Sequence, residues 1–209
     1  AEGGTVGEED VTRLYHGSPS ENLTKAKDKG TFGGLFGNAS RRAAEGHGEH
    51  TYYTDIPKHK ILTHYALNYE VPHKKVKNVL IKAMPHVAKD EKLFNRLHDV
   101  VVGDRGQATD HLEDELWPIF RTSDPGEAGF IAQKLRGQIA KNLGYHAVEL
   151  EDEHGTSYLM APGVKMHKYV KGKTYAKGGT VSHETVKGKV TMSPNMDVMQ
   201  YELLNRKAK

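Results

Sequence analysis

Four apolar residues at four-residue intervals, Ile131, Leu135, Ile139 and Leu143, run without a break into Gly144 and then into the alternating stretch Tyr145–Glu151. The first pattern is the apolar stripe of a helix and the glycine its C-terminal stop, so the spacing predicts a helix over 127–143 that feeds directly into a strand. Glu153-His154-Gly155 then reads as a turn and Thr156–Met160 as the returning strand. On the outgoing strand the period of two sends Val148, Leu150 and Asp152 to one side and Glu149, Glu151 and Glu153 to the other. A carboxylate at the end of a buried row is either a turn cap or a site residue poised at a cleft, because an unpaired buried charge is expensive. The pattern leaves both readings of Asp152 open.

A chain of 209 residues holds one medium domain with extensions, or at most two small ones. With a mean hydropathy of -0.68 it has no run approaching the roughly 18 apolar residues of a membrane span. It opens AEGGTVGEED, with neither a secretion signal nor an initiator Met, which points to processing or trimming. The absence of Cys excludes disulfides, thiolate metal sites and a Cys nucleophile. The net charge of +3 belongs to the ends: residues 1–10 carry four acids and no base, and 164–209 carry ten Lys or Arg against Glu184, Asp197 and Glu202. The neutral body lacks the basic face of a dedicated nucleic-acid reader. The basic tail reads first as a solvated segment and second as an arm for an acidic partner or nucleic acid. GGTVGEEDV at 3–11 and GGTVSHETV at 178–186 echo each other on either side of the body. They read as flexible linkers of a longer polypeptide, with chance similarity of two glycine turns as the alternative.

Val11–His16 reads as a strand that Gly17-Ser18-Pro19 ends, leaving His16 at its tip. Residues 20–27 suit one or two helical turns. From Gly30 to Gly37, Thr31, Phe32, Leu35 and Phe36 stand among four glycines. Such a loop either lets backbone approach a ligand while apolar side chains cover its flat faces, or is a hydrophobic turn tucked under a core. Residues 39–46 read as helix and 51–54 as a brief strand, while 61–69 repeats at helical spacing, placing Tyr65 and Tyr69 on one face. Between 71 and 128 we expect a strand at 76–81, a polar helix near 91–100 and turns around Trp117-Pro118 and Asp124-Pro125-Gly126. This segment carries no chemical motif.

Thirteen histidines raise a metal hypothesis, strongest at His47-Gly48-Glu49-His50, but the spacing departs from H-E-x-x-H and the glycines disfavour a helix there, so no metal is expected. P-loop, G-x-G-x-x-G and G-x-S-x-G motifs are absent, which disfavours nucleotide kinases, dinucleotide dehydrogenases and the usual serine hydrolases.

Four blocks in order, LYHGS ending the first strand, FGGLFG, YALNYE and LRGQIAKNLGYHAVELEDEHGTSYLMAPG, resemble an anti-CRISPR ADP-ribosyltransferase family acting on type I-F systems. The resemblance covers about 14–70 and 134–163. Tyr15-His16-Gly17 also resembles the nicotinamide-side motif of histidine-type ADP-ribosyltransferases. The resemblance implies an α+β fold: a split two-sheet core with flanking helices, an inserted segment at about 71–128 and flexible tails. The domain would span 11–168, between an acidic linker at 1–10 and a basic extension at 169–209. It implies NAD as ADP-ribose donor without a metal, and mono-ADP-ribosylation of a protein acceptor. In that family the acceptor is an asparagine at the PAM-reading region of the surveillance complex, and its modification stops target DNA binding. The setting implied is phage-encoded action in the host bacterial cytoplasm. The GGTV echoes add the reading of a virion-protein domain delivered with the phage particle.

Cleaving the nicotinamide–ribose bond builds positive charge on the ribose, which a neighbouring carboxylate stabilises. The resemblance aligns Asp152 with that acid, with Glu153 accepting a proton from a weakly nucleophilic amide and Glu151 as a lesser substitute. It gives His16 and Gly17 the nicotinamide ribose, Ser18 a supporting hydrogen bond, and Thr31, Phe32, Leu35 and Phe36 the pocket wall. Tyr65 and Tyr69 become candidates for an aromatic floor, with core packing expected for one of them. Two other functions keep the same scaffold: an NAD glycohydrolase with water as acceptor, and a non-catalytic module that blocks its partner by occupancy.

Overall fold

The computed structural model describes residues 10–28, 32–103, 116–152 and 155–170, with Asp152 described in its backbone alone. Strand β1 (Val11–Ser18) pairs antiparallel with β3 (His50–Pro57) over its whole length, and β7 (His167–Lys168) adds a third strand beyond β3. The second sheet runs in the order β2 (Leu35–Gly37), β6 (Gly155–Met160), β5 (Ala147–Asp152), β4 (Ile61–Leu62), antiparallel except for the β4–β5 pair. This is the α+β, split two-sheet architecture expected from the resemblance. Leu14, Tyr52 and Ile56 from the first sheet meet Ile61, Ala147 and Met160 from the second in one buried cluster. The other face of the second sheet, through Val148, Leu150 and Leu159, packs against a helical layer. Val148, Leu150 and Leu159 of β5 and β6 thus enter one core, and Ala147 and Met160 the other.

The helical layer follows the chain: α1 (Arg41–Glu45) lies by β1, and then come α2 (His64–Tyr69), α3 (His73–Ala83), α4 (Glu91–Gly103), α5 (Leu116–Phe120) and α6 (Pro125–Asn142). Asp124 caps α6 by accepting from Gly126 N and Glu127 N, Pro125 occupies the first turn, and Gly144 at φ 83° lets the chain leave toward β5. The predicted stripe faces inward, with Leu135 and Ile139 fully buried and Ile131 and Leu143 partly so. Among the described residues no helix is long and apolar enough to cross a membrane.

Three expectations give way to tertiary context. Residues 20–27 are not helical, because their backbone bonds to the chain at 163–166 through Ala26 N to Val164 O (2.8 Å) and Met166 N to Thr24 O (2.9 Å), which buries Leu23 and Ala26. The strand expected at 76–81 is the middle of α3: Val76 and Leu80 are buried one helical turn apart, and this i, i+4 spacing outweighs the strand propensity of the valines and isoleucine. The helical repeat read over 61–69 divides, since Ile61 and Leu62 pair in parallel with Ala147 and Val148, and Thr63 starts α2 by accepting from Ala66 N. Two further readings sharpen: α4 is amphipathic, burying Phe94, Leu97 and Val100 to Val102, and the turns around Trp117-Pro118 hold the short α5.

One buried cation ties the layers together. Arg136 on α6 is 1% exposed, its Nε donating to Glu149 O of β5 (3.0 Å) and its Nη1 to Val101 O and Val102 O at the end of α4 (3.1 and 2.8 Å). Its Nη2 lies 3.1 Å from His64 Nδ1 on α2, whose backbone N donates to Glu149 Oε2. The last carbonyls of a helix lack intrahelical donors, and here a side chain from another helix supplies them.

Candidate active site

The two sheets touch where Tyr15 N donates to Asn38 O (2.8 Å) and Asn38 N returns to Tyr15 O (2.9 Å), so the middle of β1 is laced to the residue after β2; β1 does not end at His16 as expected but runs on through Gly17 and Ser18, which pair with Thr51 and His50. A cleft of about 400 Å³ opens at this junction, a volume in the range of small-molecule sites. Tyr15, His16 and Gly17 of β1, Phe32, Phe36, Gly37 and Asn38 around β2, Ala43, Ala44 and His47 of the α1 region, and Ser157 of β6 line it.

His16 is held by its Nδ1, which donates to Phe36 O at 2.7 Å because a carbonyl only accepts. That bond fixes the tautomer and leaves Nε2 as an acceptor. Burial pushes the imidazole below its ordinary pKa and outweighs the Phe36 carbonyl, which favours the charged form, while His47 adds a further depression. His16 is therefore neutral near pH 7. Phe36 and Phe32 meet edge to face, centroids 4.6 Å apart at 86°, and Phe130 of α6 continues the array at 5.2 Å from Phe32. Such a wall suits a flat heteroaromatic ring. Both phenyl rings also pack on the helical core, which is what the reading of the glycine-rich loop as a hydrophobic turn expects.

Gly17 is required by space: a Cβ there would lie 2.0 Å from Ala44 O. Gly48 faces it across the same contact, where a Cβ would meet the Ser18 backbone at 2.4 Å. The glycine within His47-Gly48-Glu49-His50 thus serves close packing beneath β1. Among the described residues no three His, Asp or Glu side chains converge as metal ligands would.

Asp152 ends β5 opposite Gly155, two residues beyond the Leu150–Ser157 pair. Ser157 lines the cleft, which sets the register position of Asp152 two residues along the same strand pair from the cleft wall. Of the other expected site residues, His16, Gly17, Phe32 and Phe36 come together in the cleft. Ser18 does not line it; its buried Oγ accepts from Ser20 N at 3.1 Å in a local turn. Leu35 packs against the core between the sheets, the pleat having turned it away from Phe36. Tyr65 and Tyr69 pair at 5.1 Å on α2, but they are 63% and 76% exposed, neither in the core nor among the cleft residues. Glu151 is exposed on its strand. Thr31 and Glu153 lie outside the described residues, as do the GGTV segments and 171–209.

Asn38, His47 and Ser157 were not anticipated in the cleft. For Ser157 a signal existed, since it shares the buried parity of Leu159 in the strand GTSYLM and is 3% exposed. A larger groove of about 920 Å³ between α3 and α6 is lined by Lys82, Lys134 and Lys141 among aliphatic residues, without an acid or imidazole in its wall.

Comparison with known proteins agrees in fold and in class. The family model for the Anti-CRISPR Type I-F ADP-ribosyltransferase AcrIF11 matches residues 12–168, a continuous range that includes the segment read as inserted. A crystal structure of an anti-CRISPR protein is similar at 32% identity and a TM-score of 0.55, covering 76% of this chain and 96% of that one. No curated protein matches the chain.

Proposed function

The chain belongs to the anti-CRISPR type I-F ADP-ribosyltransferase family, an NAD-dependent transferase class, and from that membership we propose that its β1–β2 cleft transfers ADP-ribose to a side chain of a type I-F surveillance subunit. The observation that carries the assignment is the neutral, carbonyl-anchored His16 beside an aromatic wall, in a cleft whose Ser157 pairs with Leu150, two residues before Asp152. When bound, NAD supplies an activated nicotinamide–ribose bond whose breakage releases nicotinamide and passes ADP-ribose to the acceptor.

The protein's part is positioning and electrostatics. Nε2 of neutral His16 accepts from a ribose hydroxyl, and Gly17 lets backbone come close. Phe32 and Phe36 cover the nicotinamide ring and exclude water. The Asp152 carboxylate stabilises positive charge at the ribose, and Glu153 takes a proton from the acceptor amide. The acceptor is a protein of the CRISPR system, an asparagine by the resemblance, reached in the host bacterial cytoplasm by a phage-encoded protein.

The test is incubation of the protein and Asp152→Ala with labelled NAD and purified type I-F surveillance complex, followed by mass spectrometry of the labelled bands. We expect an adduct on one subunit that falls at least about a hundredfold in the variant, as when one major transition-state stabiliser is removed. Free ADP-ribose without adduct would make the protein a glycohydrolase. Inhibition of the complex that survives Asp152→Ala undiminished would make it a binding module.

A further inference from the structure

Ser157 stands apart from the other polar groups of the interior. It is 3% exposed, and its Oγ is the one buried side-chain N or O atom among the described residues with no hydrogen-bond partner. The surrounding polar groups show how unusual that is. Ser18 Oγ accepts from Ser20 N, Tyr52 Oη donates to Ser20 O, and the fully buried Arg136 makes four contacts. A hydroxyl without a partner in an apolar setting costs free energy that Ala at the same position would not. A fold that satisfies its other buried polar atoms and leaves this one open holds it for something that is not protein.

The position says what that is. Ser157 lies in the wall of the His16 cleft. It pairs in register with Leu150, two residues before Asp152, while the aromatic wall of Phe32 and Phe36 lines the same space. We propose that Ser157 Oγ is a ligand contact of the cleft, hydrogen-bonding a polar group at the nicotinamide–ribose end of the donor. The inference rests on the NAD reading above and deepens it. A hydroxyl both donates and accepts, so it matches either the carboxamide on the ring or a hydroxyl on the ribose. His16 Nε2, an acceptor only, cannot serve a carbonyl; Ser157 can. Together they give the cleft one fixed acceptor and one adaptable donor–acceptor, enough to orient a flat ring that the phenyl groups alone would let rotate.

The experiment measures binding and folding separately on Ser157→Ala, by titration calorimetry with NAD, nicotinamide and ADP-ribose and by thermal melts without ligand. The expected result is a melting temperature unchanged or raised, since no protein hydrogen bond is lost, together with NAD affinity about five- to tenfold weaker, the worth of one neutral hydrogen bond. A loss shared by nicotinamide places the contact on the carboxamide; a loss shared by ADP-ribose alone places it on the ribose. A melting temperature several degrees lower would make the hydroxyl structural and overturn the proposal. Equal affinity of variant and wild type for NAD would also overturn it, and would mean that the hydroxyl is satisfied by water alone. If the wild type itself failed to bind NAD, the functional reading would fall first and take this contact with it.

Discussion

Replacing Arg136 with Met tests whether the helical layer is fastened to the catalytic sheet by one guanidinium. The substitution keeps most of the apolar stem and removes the donors, leaving the carbonyls of Val101, Val102 and Glu149 without them in a buried site. Each stranded acceptor costs roughly 1–3 kcal/mol. Part of that is offset because a buried cation no longer needs desolvating. The net expectation is about 3–5 kcal/mol, a large share of the roughly 5–15 kcal/mol that holds a domain folded. In urea denaturation followed by far-UV circular dichroism, with a slope of about 2 kcal/mol per M, the midpoint should fall by about 1.5–2.5 M. Arg136→Lys should land between the two, because an ammonium keeps the charge but cannot span α4, β5 and α2 at once. A Met variant within about 1 kcal/mol of wild type would show that the fork is ornamental and that apolar packing alone joins the layers.

Other outcomes follow from single contacts. Gly17→Ala drives a Cβ to 2.0 Å from Ala44 O and must push α1 off β1; we expect at least about 2 kcal/mol of destabilisation and loss of NAD binding, read by melts and calorimetry. Asp124→Ala removes the cap of α6 and should cost about 1 kcal/mol, measured by the same urea titration. His16 has a folded pKa below its unfolded value, so the unfolded state binds more protons between the two and stability rises with pH through that window. The contribution is complete above about pH 6.5 and is lost as pH falls through the depressed value; urea midpoints from pH 5 to 8 should show that slope, and His16→Gln should flatten it.

What the sequence disclosed depended on how local the governing interaction is. The helix before Gly144 and the hairpin after it are legible because stripe, stop and alternation lie within one stretch of chain, and the observed bounds differ from the expected ones by one or two residues. The Tyr15-His16-Gly17 run is legible as a local pattern, but the strand end read at His16 is not there, because pairing with β3 carries β1 on through Ser18. Residues 20–27 were misread because their partners are 163–166, about 140 residues away, and no local signal carries such a pairing. Residues 76–81 are ambiguous in sequence because β-branched Val76, Val79 and Ile81 suit a strand while Val76 and Leu80 lie one helical turn apart, and burial of that pair decides for the helix. Tyr65 and Tyr69 do share a face, as their spacing said, but periodicity does not say which face turns to solvent. Ser157 was the avoidable omission: the parity that singled out Asp152 on β5 also marks a serine in the buried row of β6.

The relation of the cleft to the helical layer follows from which residues each uses. The cleft wall is drawn from 15–47 and Ser157, and α2 to α6, spanning 64–142, build their core on the face of the second sheet where Val148, Leu150 and Leu159 share the parity of Ser157 and where Phe32 and Phe36 also pack. Two contacts from α6 reach toward the site: Phe130 meets Phe32 edge to face, and Arg136 grips the β5 backbone at Glu149, three residues before Asp152. Both come from one helix, six residues and about 120° apart around its axis, so a shift of α6 moves the aromatic wall and the strand that bears the acid together. A cleft that must close on a flat ring while holding a carboxylate in register has reason to be fastened this way, because the two halves then cannot drift apart by separate motions. The outer surfaces of α3, α4 and α5 carry no such constraint, and their composition is free to answer to a partner without disturbing the chemistry.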